Sequence, residues 1–363
     1  MAVFGIDAML LTTEPDVRYF TGFLTRFWES PTRPWFLVVP QSGDPIAVIP
    51  SIGFELMSKT WIEDIRTWTA PNLLDDGVGL LADTLSEVLP KTAKIGIPSG
   101  HETHLRMPLQ DFERLKIKLS NFKFSDDAGI LRKLRMIKSE AEALKIAKAC
   151  EIAGSAFSRI SEVAEQGVSL DAVFRGFQKL CLEEGADWVP YLAGGAGPLG
   201  YKDVISPAND LPLSSGDVLM LDTGLMYDGY FCDFDRNFAI SKSDIQVGNA
   251  YSQLMDATEA GKIVAKPGNT AADVFYAMAN VLGTGKTRAE VGRLGHGLGM
   301  QLTEWPSLIP EDHTVLQEGM VITLEPAISI TGGGILVHED NFIIGKTKAK
   351  QLSPKAPKTI LEI

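Results

Sequence analysis

Residues 216–236 read GDVLMLDTGLMYDGYFCDFDR. Two apolar runs of strand type, 218–221 and 230–238, flank the turn signal Tyr227-Asp228-Gly229, the pattern of an antiparallel hairpin. A two-residue turn at Tyr227-Asp228 sets Asp222 opposite Asp233; moving it to Asp228-Gly229 sets Asp222 opposite Asp235. Side chains alternate along a strand, so Asp233 and Asp235 share a face in either register. Carboxylates opposed on a hairpin repel unless a cation lies between them, and the flanking apolar residues favour burial over a solvated acidic face. The stretch predicts a strand pair that binds metal.

A second hairpin repeats the pattern. Segments 320–325 (MVITLE) and 335–339 (ILVHE) flank Thr331-Gly332-Gly333-Gly334, so Glu325 and Glu339 can meet across the strands. Between the two hairpins His296 stands in Gly295-His296-Gly297-Leu298-Gly299. The candidate ligands are therefore Asp222, one of Asp233 and Asp235, His296, Glu325 and Glu339. One divalent ion would leave two of the four carboxylates uncompensated in a buried site; two divalent metal ions balance them. A bridged pair also makes water nucleophilic at neutral pH, which predicts a hydrolase. Oxygen-rich ligation favours manganese, with iron, cobalt and zinc also compatible. The other histidines read differently: His101 and His104 have no carboxylate partner in sequence reach, His313 sits in a polar loop, and His338 points away from Glu339 on its strand.

At 363 residues the chain exceeds the size of a single core, so two domains are expected. A net charge of −12 argues against nucleic acid or an anionic membrane as the main partner. Three widely spaced cysteines suit reduced thiols and a cytoplasmic location. No apolar run is long enough to span a membrane, and MAVFGIDAML has no basic segment of the kind that opens a secretory signal. Strands are predicted at 8–12, 35–40, 45–50 and 94–98, and helices at 78–89 and 112–119, which make an α/β unit. Ser139 with Glu142 has the form of a capping box and opens a helix running to about residue 165. Further helices are predicted at 170–184 and 271–282, with the remainder strand and loop. The boundary is placed near 125–129.

The order and context of these residues resemble the pita-bread metallopeptidases: methionine aminopeptidase, aminopeptidase P, prolidase and their metal-free relative creatinase. The resemblance is strongest over 216–236 and around His296, Glu325 and Glu339, and TEPDVRYFTGF at 13–23 is similar to the N-terminal signature of creatinase and prolidase relatives. It implies an α+β protein: a creatinase-like N-terminal α/β domain, 1–125, followed by a pita-bread catalytic domain, 126–363. It implies that Asp233 and Glu339 bridge the metals, that Asp222 holds one, and that His296 and Glu325 hold the other, with Glu325 also the general base. The family's spacing selects Asp233 as the partner of Asp222. Asp235, where relatives carry Thr, is then an acceptor behind the ligands, an extra ligand, a substrate contact or a partner of Arg236. A homodimer is implied as well.

Two histidines that face substrate in those peptidases have no counterpart here. None lies between His104 and His296, and the His-Glu-x-Pro position reads Thr303-Glu304-Trp305-Pro306. Thr303 is a candidate catalytic hydroxyl and Glu304 a candidate substrate contact. Lys202 and Asp203, and more weakly Tyr201, stand near the first absent histidine and could replace it. Trp28, in the aromatic segment 23–35, could line a partner's pocket or simply belong to the core. Three functions fit: an Xaa-Pro dipeptidase or aminopeptidase P type hydrolase, in which a metal-bridging hydroxide attacks an amide of a small peptide; an enzyme on a small-molecule, non-peptide substrate resembling creatinase, ectoine hydrolase or dimethylsulfoniopropionate lyase; and a non-catalytic binding relative. The intact ligand set favours the first, and the altered substrate side favours the second.

Overall fold

The computed structural model describes residues 1–30, 33–283 and 292–363. The chain forms two compact units, Met1–Leu134 and Arg135–Ile363. Sequence placed the division earlier, near 125. Ala128, Ile130 and Leu131 pack into a core of the first unit, which carries that unit onward.

The first unit is a six-stranded sheet built from β1 (Ala8–Leu11), β2 (Phe36–Pro40), β3 (Ile46–Pro50), β4 (Asp64–Trp68), β5 (Lys94–Ile97) and β6 (Lys123–Asp126), in the order β4-β3-β2-β1-β5-β6. Helices α1 (Glu14–Thr21), α2 (Phe54–Met57), α3 (Val78–Val88) and α4 (Leu109–Lys118) accompany it. Alternation decides its two cores. Leu10, Val38 and Val48 face the core that includes Leu81 and Leu85 of α3, while Met9, Leu37 and Ile49 face the core holding Trp28 and Trp35. With both faces covered the central strands read as continuous apolar runs. The edge strands β4 and β6 are largely half-exposed, which removes their apolar signal.

Helix α5 (Ile130–Met136) spans the division, and α6 (Glu140–Ser158) opens on the expected capping box, with Ser139 accepting from the Glu142 N–H. It packs with α7 (Leu170–Glu183) over one face of a sheet ordered β18-β10-β8-β7, with β9 alongside β8. These strands are β7 (Trp188–Pro198), β8 (Asp217–Tyr227), β9 (Tyr230–Phe231), β10 (Phe234–Ala239) and β18 (Leu361–Glu362). Helices α8 (Ile245–Val264) and α9 (Ala271–Leu282) cover a second sheet, β12-β11-β13-β16-β17. It comprises β11 (His296–Gly297), β12 (Glu304–Ser307), β13 (Val321–Leu324), β16 (Asp340–Ile344) and β17 (Ala349–Gln351), while β14 (Ala327–Ser329) pairs with β15 (Ile335–Val337).

Sequence reading missed α8. Its inward positions are Val247, Ala250, Tyr251, Leu254, Ala257, Thr258 and Gly261. Their spacing is helical, but small residues hide the apolar stripe. Gly261 is small for a reason: a Cβ there would sit 2.8 Å from the Met278 side chain of α9.

Candidate active site

The first hairpin turns at Asp228-Gly229, both left-handed (φ 45° and 78°), as a two-residue turn matched to strand twist requires. Tyr227 pairs with Tyr230 and Asp222 with Asp235, the second of the two registers open to the sequence. Asp233 falls at the break between β9 and β10. There the Asn341 side chain of β16 replaces a strand neighbour, accepting from the Asp233 N–H at 2.9 Å and donating to its carbonyl.

In the second hairpin Leu324 pairs with Asp340 and Ala327 with Val337. The same register carried between those pairs sets Glu325 opposite Glu339. His296 enters beside them on β11, whose Gly297 pairs with Ile322. The glycines around it are steric necessities: a Cβ on Gly295 would lie 2.3 Å from the Thr323 carbonyl oxygen, and one on Gly297 2.2 Å from that of Trp305. His296 Nδ1 lies 2.8 Å from the Gly297 carbonyl. Donation there leaves the Nε2 lone pair facing Asp233 Oδ2 at 3.4 Å and Glu339 Oε1 at 3.8 Å. Asp233, His296 and Glu339 each offer an atom within 4.8 Å of the others, all buried.

Electrostatics mark the cluster as incomplete without a cation. Burial, then repulsion from Asp233, Asp235 and Glu325, raises Asp222 well above the carboxylate range. Burial and the neighbouring carboxylates do the same to Glu339, and burial pushes Glu325 up to about 7. Burial also raises Asp233, against the attraction of His296 and Arg293. Asp222 Oδ1, Asp233 Oδ1 and Glu339 Oε1 are buried without a hydrogen-bond partner, as are both oxygens of Asp235. Orphaned carboxylate oxygens are costly in a protein interior unless a cation satisfies them.

The remaining candidates from sequence fall elsewhere. The Glu304 carboxylate is held by Arg135 at 2.5 Å and Lys138 at 3.1 Å, which lower its pKa to about 2 against burial. The exposed Asp203 caps a turn through the N–H groups of Ile205 and Ser206, and Lys202 reaches the Gly333 carbonyl; neither joins the cluster. Tyr201 is buried, accepting from the Val337 N–H and donating to Asn237. Trp28 packs against Trp35 in the first unit, with Arg106 over its ring, while Pro31 and Thr32 of the same segment lie outside the described residues. The Thr303 hydroxyl is half-buried and makes no hydrogen bond among the described residues.

Asp235 is buried, and its Oδ1 lies 3.6 Å from Nδ1 of His338, whose Nε2 lies 3.0 Å from Asp340. Arg236 pairs with Asp340 instead of Asp235, at 2.9 Å. The structure also adds residues that sequence reading missed. Arg293, three residues before His296, lies near enough to lower Asp233 and Glu325. Tyr191 on β7 faces Asp222; burial, then Asp222 and Asp233, raises its phenol. A basic residue this close to Gly-His-Gly was a usable signal for Arg293. Tyr191 had none, because only the pairing of β7 with β8 brings it here.

The profile of the Creatinase/Prolidase N-terminal domain matches residues 1–137, and that of Metallopeptidase family M24 matches residues 144–346, more than half of the chain. The chain belongs to metallopeptidase family M24. As an M24 metallopeptidase it is a metallohydrolase that uses a pair of divalent ions, and all five candidate ligands lie within the matched region. It is 28% identical to a Xaa-Pro dipeptidase of Pyrococcus horikoshii over 96% of this chain and 93% of the relative. The prolidase structure from Pyrococcus horikoshii superposes with a TM-score of 0.83 at 26% identity, covering 99% of this chain and 97% of that one. A prolidase from Thermococcus sibiricus, at 23% identity, shares the fold with a TM-score of 0.86 over 100% of this chain and 96% of its own.

Proposed function

We propose that the chain is a dinuclear metal-dependent peptidase of the Xaa-Pro dipeptidase or aminopeptidase P type, acting on small peptides. One observation carries the reading: a buried group of carboxylates with orphaned oxygens, gathered around a correctly presented imidazole, in a chain whose relatives include a Xaa-Pro dipeptidase.

The donor set fits two divalent ions in charge and in chemistry, since four carboxylates balance two dications. Asp222 would hold one ion, His296 and Glu325 the other, and Asp233 and Glu339 both. When bound, such a pair supplies Lewis acidity and activates a water for attack on the scissile carbonyl. The chain's residues do the rest. Glu325, beside Asp233 and His296, is the general base: it takes a proton from the attacking water on its carboxylate oxygen. It then gives that proton to the departing amide nitrogen as the carbon–nitrogen bond breaks. Asn341 holds the Asp233 backbone, and the Gly297 carbonyl fixes the His296 ring, so neither group needs to reorganise.

A small non-peptide metabolite is the second reading, favoured by Thr303, whose hydroxyl cannot carry a proton in the neutral range. Manganese, a cytoplasmic location and a homodimer belong to the same proposal. They are supported, in turn, by the oxygen-rich donors, by three buried free cysteines, and by the resemblance alone.

The test is turnover by the manganese-loaded protein, with Asp233→Ala as the control. The panel is Xaa-Pro dipeptides and tripeptides beside creatine, ectoine and dimethylsulfoniopropionate. Proline-peptide cleavage that drops to background in the variant is expected. Silence on every peptide with metal bound would overturn the reading in favour of a small metabolite.

A further inference from the structure

We propose that Asp235 is a positioning residue for the bridging ligand Glu339, held to that task by an ion pair with His338. The inference rests on the ligand role proposed for Glu339 and is independent of the substrate. Asp235 pairs with Asp222 across β8 and β10, so its side chain shares a sheet face with that ligand. A fifth carboxylate there repels Asp222 and Glu339, and needs positive charge of its own. It is offset by Nδ1 of His338 at 3.6 Å, by the Glu339 N–H and by Arg236. The His338 ring is buried, and its Nε2 stands 3.0 Å from Asp340. An imidazole between two carboxylates, which only accept, presents an N–H to each in its charged form.

Glu339 sits at the centre of this arrangement. His338 and Asp340 flank it in sequence, while Asp235 and Arg236 are neighbours on β10. Asp235 draws on the Glu339 N–H, and Arg236 Nη1 donates to the Glu339 carbonyl at 3.3 Å. Arg236 also pairs with Asp340 at 2.9 Å, and the Ser353 hydroxyl donates to the same carboxylate at 2.7 Å. Two neighbours on one strand thus engage both backbone groups of a ligand from another segment. The ion pairs Asp235–His338 and Arg236–Asp340 close the frame. Its charges cancel, so it adds no net charge beside a cluster whose four carboxylates already balance two dications. Groups that orient a ligand from behind fix its geometry and set its metal affinity.

The full chain is compared with Asp235→Asn, His338→Gln and the double variant. Manganese binding is measured by calorimetric titration, unfolding by thermal melts in chelator, and the coupled manganese pair by electron paramagnetic resonance. Each single variant is expected to bind manganese about 10-fold more weakly, with an altered coupled spectrum. The double variant is expected to lose no more than the worse single one, because either change alone already ends the pair's hold on Glu339. Affinity within about twofold of wild type in either single variant would overturn the positioning role, even with a lowered melting temperature. Losses that add in the double variant would sink the pairing. Tighter binding in His338→Gln would do so too, since it marks Asp235 as turning to the metal as a ligand. Should Asp235→Asn fail to fold, His338→Gln alone decides by the same affinity threshold. A wild type that takes up no manganese removes the proposed ligand set and this inference together, whereas variants that bind as wild type does remove this inference alone.

Discussion

His296 can serve as a ligand because of what its neighbours lack. Gly297 admits no side chain, since a Cβ would lie 2.2 Å from a backbone oxygen of Trp305, which cannot move without parting β11 from β12. Gly299 differs: a Cβ there meets the side-chain ends of Glu304 and Lys138, the nearest at 2.8 Å. Gly297→Ala is expected to cost about 2 kcal/mol or more through overpacking and to weaken metal binding, while Gly299→Ala costs less. Thermal melts and metal titrations of both variants check this, and equal effects would count against it. Glu304 teaches the opposite lesson. It stands in a motif position that suggests substrate, yet two cations absorb its charge.

Between elements, the decisive contact is Asn341 on β16, reaching the gap between β9 and β10. Its carboxamide pairs with both backbone groups of Asp233, and its oxygen also accepts from the Cys150 thiol of α6 at 3.2 Å. Asn341→Ala leaves a buried N–H and a buried C=O unpaired, at about 1–3 kcal/mol each. It also frees the peptide that aims the Asp233 carboxylate. Metal affinity is expected to fall by about 10- to 100-fold, as when groups that orient ligands are removed. Calorimetric titration of the variant checks this; wild-type affinity with a lowered melting temperature would reduce Asn341 to a structural tie.

At the scale of the whole molecule, the carboxylate cluster couples stability to pH and metal. Burial raises Glu325 from 4.5 to about 7, and raises Asp222, Asp233 and Glu339 as well. A raised folded-state pKa means the folded chain keeps protons that the unfolded chain releases. Its contribution is therefore full below about 4.5 and lost as pH rises through about 7, by about 3 kcal/mol for Glu325 alone. Glu304, lowered to about 2, works the other way: its contribution is present above 4.5 and lost as pH falls through 2. Chelated protein is thus expected to melt lower at about pH 8 than at about pH 5, and manganese at about 100 times its Kd to restore about 2.7 kcal/mol. Melts across that range with chelator or metal decide it; a chelated protein equally stable at both ends would contradict the coupling.

The sequence by itself determined the hairpins that carry the candidate ligands, because alternation and turn chemistry are local. It also marked α3, α4, α6, α7 and α9, the last to the residue, from their apolar stripes. It could not choose between two registers that leave Asp233 and Asp235 on the same face; the left-handed pair Asp228-Gly229 and the contacts across the sheet did that. It could not read α8, whose buried stripe interleaves Val247, Tyr251 and Leu254 with Ala, Thr and Gly. Nor could it show that Glu304 is spent on Arg135 and Lys138, that Asn341 grips Asp233 from 108 residues away, or that Tyr191 shares a sheet face with Asp222. Those are long-range pairings, and a side chain's chemistry depends on which groups the fold leaves it free to meet.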